Sequence, residues 1–146
     1  MAVGNFSVFA SFKKDLALGK HNFEADDMRI ALTDGTVKPE ATTTNPSWGA
    51  GGTNLKATEV RSGGNYDEDG ESIDTTLSQA GGAVYVGAHE QKWRQDPKNP
   101  TNAAFAVVYN SVNNRCVGFA DLGGAFNMRT GDLAIKPSSR GLIAIG

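Results

Sequence analysis

The sequence holds a single cysteine, Cys116, in 146 residues. One thiol excludes an internal disulfide and any zinc site built from several cysteines. A large charge excess is missing as well. Fourteen basic residues face 16 acidic ones, for a formal net charge of −2, so there is no global electrostatic drive toward nucleic acid. The basic residues Lys13, Lys14, Lys20, Lys92, Arg94 and Lys98 are scattered among carboxylates, not interleaved with aromatics in a stripe. Long apolar runs are absent too. The longest is Ala103 to Tyr109, far short of the ~20 residues a spanning helix needs. The N-terminal stretch places its basic pair, Lys13-Lys14, after the apolar residues and is not expected to be a signal peptide.

Catalytic signatures are scarce. No G-x-S-x-G elbow occurs. Gly49-Ala50-Gly51-Gly52 has Asn54 where a dinucleotide fingerprint needs its third glycine, and no helix pattern follows. Gly19-Lys20 lacks the earlier glycine of a phosphate loop. His89-Glu90 opens like a zincin motif, but Trp93 stands where the second histidine belongs. His21 and His89 are far apart, each beside the end of an element. Cys116 follows Arg115, which could lower its pKa, yet it also opens an apolar strand and reads as a small core hydrophobe. The acidic stretch Asp67, Glu68, Asp69, Glu71, Asp74 offers oxygens for calcium, but Gly70 sits at the wrong position for an EF-hand loop. It reads as a solvated turn. No metal, cofactor or catalytic residue is expected.

Glycine, by contrast, is abundant: 18 of 146 residues, against a usual ~7%. Many glycines between short apolar runs describe a chain that turns often. Phe6, Phe9, Phe12 and Leu16 recur at helical spacing, so a short helix is expected over residues 5–18, capped by Asn5 and closed by Gly19. Asp27 to Thr33 alternates as a half-buried strand. Residues 34–54 have no periodicity and form a long excursion loop, of the kind that usually contacts something. Trp48 within it needs a cover, either its own core or another subunit. Residues 55–60 form a short strand or helical turn, and residues 61–72 are turn-rich. Alternation around Ile73 to Leu77 and Val84 to Ala88, with Gly81-Gly82 between, marks a hairpin. Ala103 to Tyr109 reads as a central strand buried on both faces, with Cys116 to Leu122 returning beside it and Gly123-Gly124 turning again. Short strands around Leu133, Ile135, Leu142 and Ile145 complete the chain. The expectation is a mainly β, single-domain antiparallel sandwich or small barrel, jelly-roll-like, spanning 1–146 with an N-terminal arm and helix over 1–20.

Several short motifs occur in a definite order. The helix reads Phe9-Ala10-Ser11-Phe12-Lys13-Lys14-Asp15-Leu16-Ala17-Leu18-Gly19, followed by Asp26-Asp27-Met28-Arg29-Ile30-Ala31-Leu32. A Thr/Pro-rich loop comes next, then Glu59-Val60-Arg61-Ser62-Gly63-Gly64-Asn65-Tyr66 and on to Gly70. Trp93, the strand Ala103 to Tyr109, Gly118-Phe119-Ala120-Asp121-Leu122-Gly123, and Gly131-Asp132-Leu133-Ala134-Ile135 close the series. As an ordered set these resemble small structural proteins of tailed bacteriophages, some of which decorate or cement the capsid. The resemblance implies a non-enzymatic protein, made in the host cytoplasm and carried on the capsid surface of the virion. Its implied partners are the major capsid protein and further copies of itself, as a dimer or trimer, with no nucleic acid and no membrane. Alternatives are a tail, neck or fibre-attachment protein, or a carbohydrate- or calcium-binding β-sandwich module. Candidate contacts are the arm from Ala2 to Phe6, the Trp48 loop and the loop from Gln95 to Asn102. Phe6, Trp48, Trp93, Asp96 and Lys98 are the interface candidates, with the tryptophans as natural anchors. Trp93 also reads as core.

Overall fold

The computed structural model describes residues 1–145. In chain order these form β1 (Ala2–Val3), β2 (Ser7–Val8), helix α1 (Ala10–Ala17), β3 (Met28–Thr33), β4 (Pro46–Ser47), β5 (Thr53–Asn54) and a 3₁₀ turn (Leu55–Thr58). Then follow β6 (Glu71–Ile73), β7 (Thr75–Ala80), β8 (Ala83–Ala88), β9 (Gln91–Trp93), β10 (Ala103–Asn110), β11 (Arg115–Phe126), β12 (Leu133–Ile135) and β13 (Ile143–Ile145). The chain is mainly β, as its glycine-punctuated alternation predicts.

The principal sheet runs β5-β4-β11-β10-β3-β6, with β2 also paired to β11. At its centre β10 is buried along its whole length, because β3 and β11 flank it antiparallel and both faces are covered. Tyr109 and Asn110, successive on β10, serve opposite sides. Tyr109 stacks on Trp48 at 4.9 Å and 15°. Asn110 meets His21, whose ring packs on Phe12 of α1. A second sheet, β1-β12-β9, ties the N-terminus to the end of the chain: β1 pairs in parallel with β12, Ala2 opposite Ala134 and Val3 opposite Ile135. A third, β13-β8-β7, forms a wing.

Four expectations change. The helix begins at Ala10, not near residue 5, and Phe9 precedes it with no side-chain cap. Ser7–Val8 instead add a strand to β11 through Val8 opposite Gly118, and Asn5 accepts a hydrogen bond from Ser138 Oγ. The apolar spacing of Phe6, Phe9 and Phe12 is real as burial, but an extended segment followed by a helix can bury the same three rings. β3 is not half-buried: five of its six residues are buried and only Arg29 is partly exposed, so side chains on both faces of the strand are covered. Gly123-Gly124 does not turn the chain. β11 continues to Phe126, and the register between Ala103 and Phe105 absorbs the extra residues as a bulge at two positive-φ glycines. The Gly49–Gly52 patch is also less free than its composition suggests. Gly52 has φ +80 and packs directly against the Asn45 backbone, where a Cβ would not fit, and this close approach lets β4 and β5 pair in parallel.

Candidate functional site

Of the five interface candidates, three are inaccessible. Phe6, Trp48 and Trp93 are all buried, and the arm that carries Phe6 is held by β1, with the Met1 amino group donating to the Asp132 carbonyl. Their aromatic surface covers this chain's own core, as burial of large rings favours when neighbouring rings are in reach. Trp93 lies 6.1 Å from Tyr66. Asp96 and Lys98 do remain at the surface, in one turn: Asp96 Oδ1 accepts from the Lys98 amide at 2.8 Å.

Trp48 instead roofs a polar cleft of about 560 Å³, also lined by Arg29, Lys56, Glu68, Asp69 and Tyr109. The organising residue is Asp69. Its backbone stands at φ +69, a left-handed conformation that side-chain-bearing residues hold only when surrounding contacts over-determine it. Those contacts come from five directions in the fold. The Asp69 amide donates to Glu59 Oε2 at 2.6 Å, and its carbonyl accepts from Tyr109 OH at 2.7 Å and Arg29 Nε at 3.3 Å. Its Oδ1 accepts from Trp48 Nε1 at 2.9 Å and pairs with Lys56 Nζ at 2.9 Å. Glu59 Oε2 also accepts a hydrogen bond from the Tyr66 hydroxyl at 2.7 Å, while that hydroxyl accepts from the Leu32 amide of β3 at 3.0 Å.

The electrostatics follow from this wiring. Burial pushes the Asp69 carboxyl up, but the donors Lys56 and Trp48 more than offset it and hold the group below the usual carboxylate range. Glu59 goes the other way: burial raises it, outweighing the bonds from Tyr66 and the Asp69 amide. Burial raises both Tyr66 and Tyr109, so both phenols act as neutral donors. Asp69, Glu59, Lys56 and Arg29 are thus committed to neighbours, and the arrangement locks the 67–70 turn onto β3 and β10. Among the described residues, no group of three or more His, Cys, Asp or Glu side chains is placed to hold a metal ion. Cys116 is buried and burial pushes its thiol up, while Arg115 pairs with Asp15 at 2.9 Å.

A second lock holds the 95–102 loop. Asn99 is wholly buried. Its Oδ1 accepts from the Asn65 amide at 2.7 Å, and its Nδ2 donates to the carbonyls of Arg94 at 2.8 Å and Met128 at 3.0 Å. The Arg129 Nε donates to the Asn99 carbonyl at 2.7 Å. Around this anchor Arg61, Lys98 and Arg129 line a shallow depression with Ser62, Thr101 and Asn102. Among the described residues none of the three cations joins an ion pair.

His21 is a buried titratable group. Its Nδ1 faces Asn110 Nδ2 at 3.2 Å, and its Nε2 has no partner. Because Asn110 donates, Nδ1 accepts and the ring is neutral. Burial lowers its pKa from 6.5, although Asp15 and Asp26 pull upward. A depressed folded-state pKa means the unfolded chain binds the proton first. The stabilisation is therefore complete above pH 6.5 and is lost as pH falls from there through the folded value. Urea midpoints should fall between pH 7.5 and 5, and His21→Gln should flatten that slope. An unchanged slope in the variant would remove His21 as its source. Glu59, raised by burial, acts in the opposite sense and remains in both proteins.

Residue pattern alone missed Tyr66, Asp69 and Asn99 as organisers. The available signals were Asp69-Gly70 and Asn99-Pro100, which announce turns without revealing what the turns are tied to. Compared with family models, with curated proteins and with solved structures, the chain matches none. No helix is long and apolar enough to cross a membrane among the described residues.

Proposed function

We propose that the protein is a non-enzymatic structural component of a tailed-phage virion, which binds the outside of the capsid shell and stabilises it. The observation that carries this reading is the ordered series of motifs from Phe9 to Ile135. The wiring of the Trp48 cleft supports a structural role, because Asp69, Lys56, Arg29 and Tyr109 there hold one another in the fold. A bound coat stabilises the assembled shell by mass action, and repetition over a lattice multiplies weak contacts. With Phe6, Trp48 and Trp93 committed to the core, the contact with the major capsid protein falls to the 95–102 face, where Lys98, Arg61 and Arg129 offer positive charge that no carboxylate among the described residues pairs. The chemistry this face recognises is a cluster of carboxylates on the shell.

Two measurements test the reading. Quantified virion protein should show hundreds of copies per particle, whereas a few to a few dozen would place the protein in the tail or neck. Purified protein should bind shells that lack it, and Lys98→Glu should weaken that binding roughly tenfold or more at low salt, with the difference shrinking as salt rises. Equal binding by Lys98→Glu would move the contact elsewhere.

A further inference from the structure

The wing β13-β8-β7 ends in an open edge. Among the described residues β7 pairs only with β8, in an unbroken register from Thr75 opposite Ala88 to Ala80 opposite Ala83. The Leu142 amide donates to the Val86 carbonyl at 2.7 Å, so Val86 directs its backbone groups toward β13. In an antiparallel ladder the bonded and non-bonded pairs alternate. Leu77, opposite Val86, therefore turns its N–H and C=O away from β8, and Thr75 and Gln79 do the same. Natural edges are normally blunted by lysine, proline or a bulge. β7 has none of these, and residues 75–88 carry no charged side chain at all. Leu77 is 46% exposed, and of the twelve residues of this hairpin's strands only Val86 is buried. β13 adds a third strand on the β8 side alone, so the β7 side of the wing stays open to further pairing.

We propose that β7 is the self-association edge of this protein, pairing antiparallel with β7 of a second copy about a two-fold axis through Leu77. The axis sets Leu77 against Leu77 and Thr75 against Gln79 of the second copy, so every outward backbone group of these positions finds a partner. No like charges are opposed, which a two-fold pairing of a charged edge could not avoid. The two wings become one continuous sheet and the exposed leucines cover each other. This names a surface for the self-association in the reading above, but it needs no shell and stands or falls without one.

The test uses the purified full chain alone. Sedimentation across a concentration series should show a dimer. Gln79→Pro removes one outward N–H that the hairpin itself does not use and should give a folded monomer by circular dichroism. Leu77→Lys sets like charges on the axis and should do likewise. Leu77→Cys should form a disulfide-linked dimer on mild oxidation, while Val112→Cys, at the more exposed Val112, should not. Hydrogen exchange should show the Leu77 and Gln79 amides protected in the wild type and fast in Gln79→Pro. A wild-type monomer, a trimer, or dimers that persist unchanged in both variants would overturn the proposal. So would protection of these amides only after shells are added, which would give the edge to a strand of the shell.

Discussion

Trp48→Ala is expected to destabilise the isolated protein by about 3–5 kcal/mol, the usual cost of emptying a large aromatic site. The indole is 3% exposed although its loop is irregular and glycine-rich, and it does three things at once. It stacks on Tyr109 of the central strand, it donates to Asp69 Oδ1, and it roofs the cleft that holds Lys56 against the same carboxylate. Removing it leaves the strained Asp69 turn short of a donor and uncovers one face of Tyr109. Against a typical total stability of about 5–15 kcal/mol, such a loss is visible in any urea titration. Trp48→Phe retains the ring stack and should lose less, about 1.5–3 kcal/mol, the worth of a hydrogen bond to a charged acceptor. If Trp48→Ala unfolds at nearly the wild-type urea concentration, the indole is not a core group. Shell binding by the folded Trp48→Phe should equal that of the wild type.

This residue shows where the sequence was legible and where it was not. The hairpin of β10 and β11 was legible because burial on both faces leaves a run such as Ala103 to Tyr109 with no polar interruption. The wing hairpin was legible because a two-residue glycine turn between alternating runs is a local signal. Trp48 was ambiguous because a large aromatic in a loop needs a cover, and only the fold says whose. The helix start was misplaced because spacings of three and four between Phe6, Phe9 and Phe12 do not distinguish a helix from a strand leading into one. Gly123-Gly124 misled for a related reason: positive-φ glycines serve bulges as readily as turns.

The polar locks were the least legible part. Glu59, Tyr66 and Asp69 belong to one network with Lys56, Trp48 and Tyr109, spread over half the chain. Asn99 joins residues 65, 94, 128 and 129. No local pattern encodes such partners, since each hydrogen bond exists only once distant segments have been brought together. What the sequence did show was the turn-forming residues at the centre of each lock. The acidic run 67–74, which suggested solvated carboxylates, contains Asp69, whose carboxylate is held by Trp48 and Lys56.

The largest effect is expected at Gly70. Its φ is +73, and a Cβ there would be driven into the carbonyl oxygen of Ile30 and the Cα of Ala31. Neither neighbour can yield. Ile30 and Ala31 lie in β3, fixed by β10, with β6 also pairing to Ile30. Gly70 itself is held by its N–H, which donates to the Asp67 carbonyl, and by Arg29 Nη2, which donates to the Gly70 carbonyl at 2.9 Å. Gly70→Ala therefore adds a backbone clash to a left-handed penalty of roughly 1–2 kcal/mol, and a loss above about 4 kcal/mol is expected. Relief requires lifting the 67–70 turn from the sheet, which would break the Asp69 bonds to Tyr109 and Glu59 together. Gly51→Ala supplies the contrast, since its Cβ meets nothing within 4 Å and its φ is not positive; it should change stability by no more than about 0.5–1 kcal/mol. Thermal melts and soluble yield of the two variants, compared side by side, read the difference. A Gly70→Ala protein that melts within a few degrees of Gly51→Ala would mean that the turn is not pressed onto β3, and the network around Asp69 would then lose its role as the lock of this face.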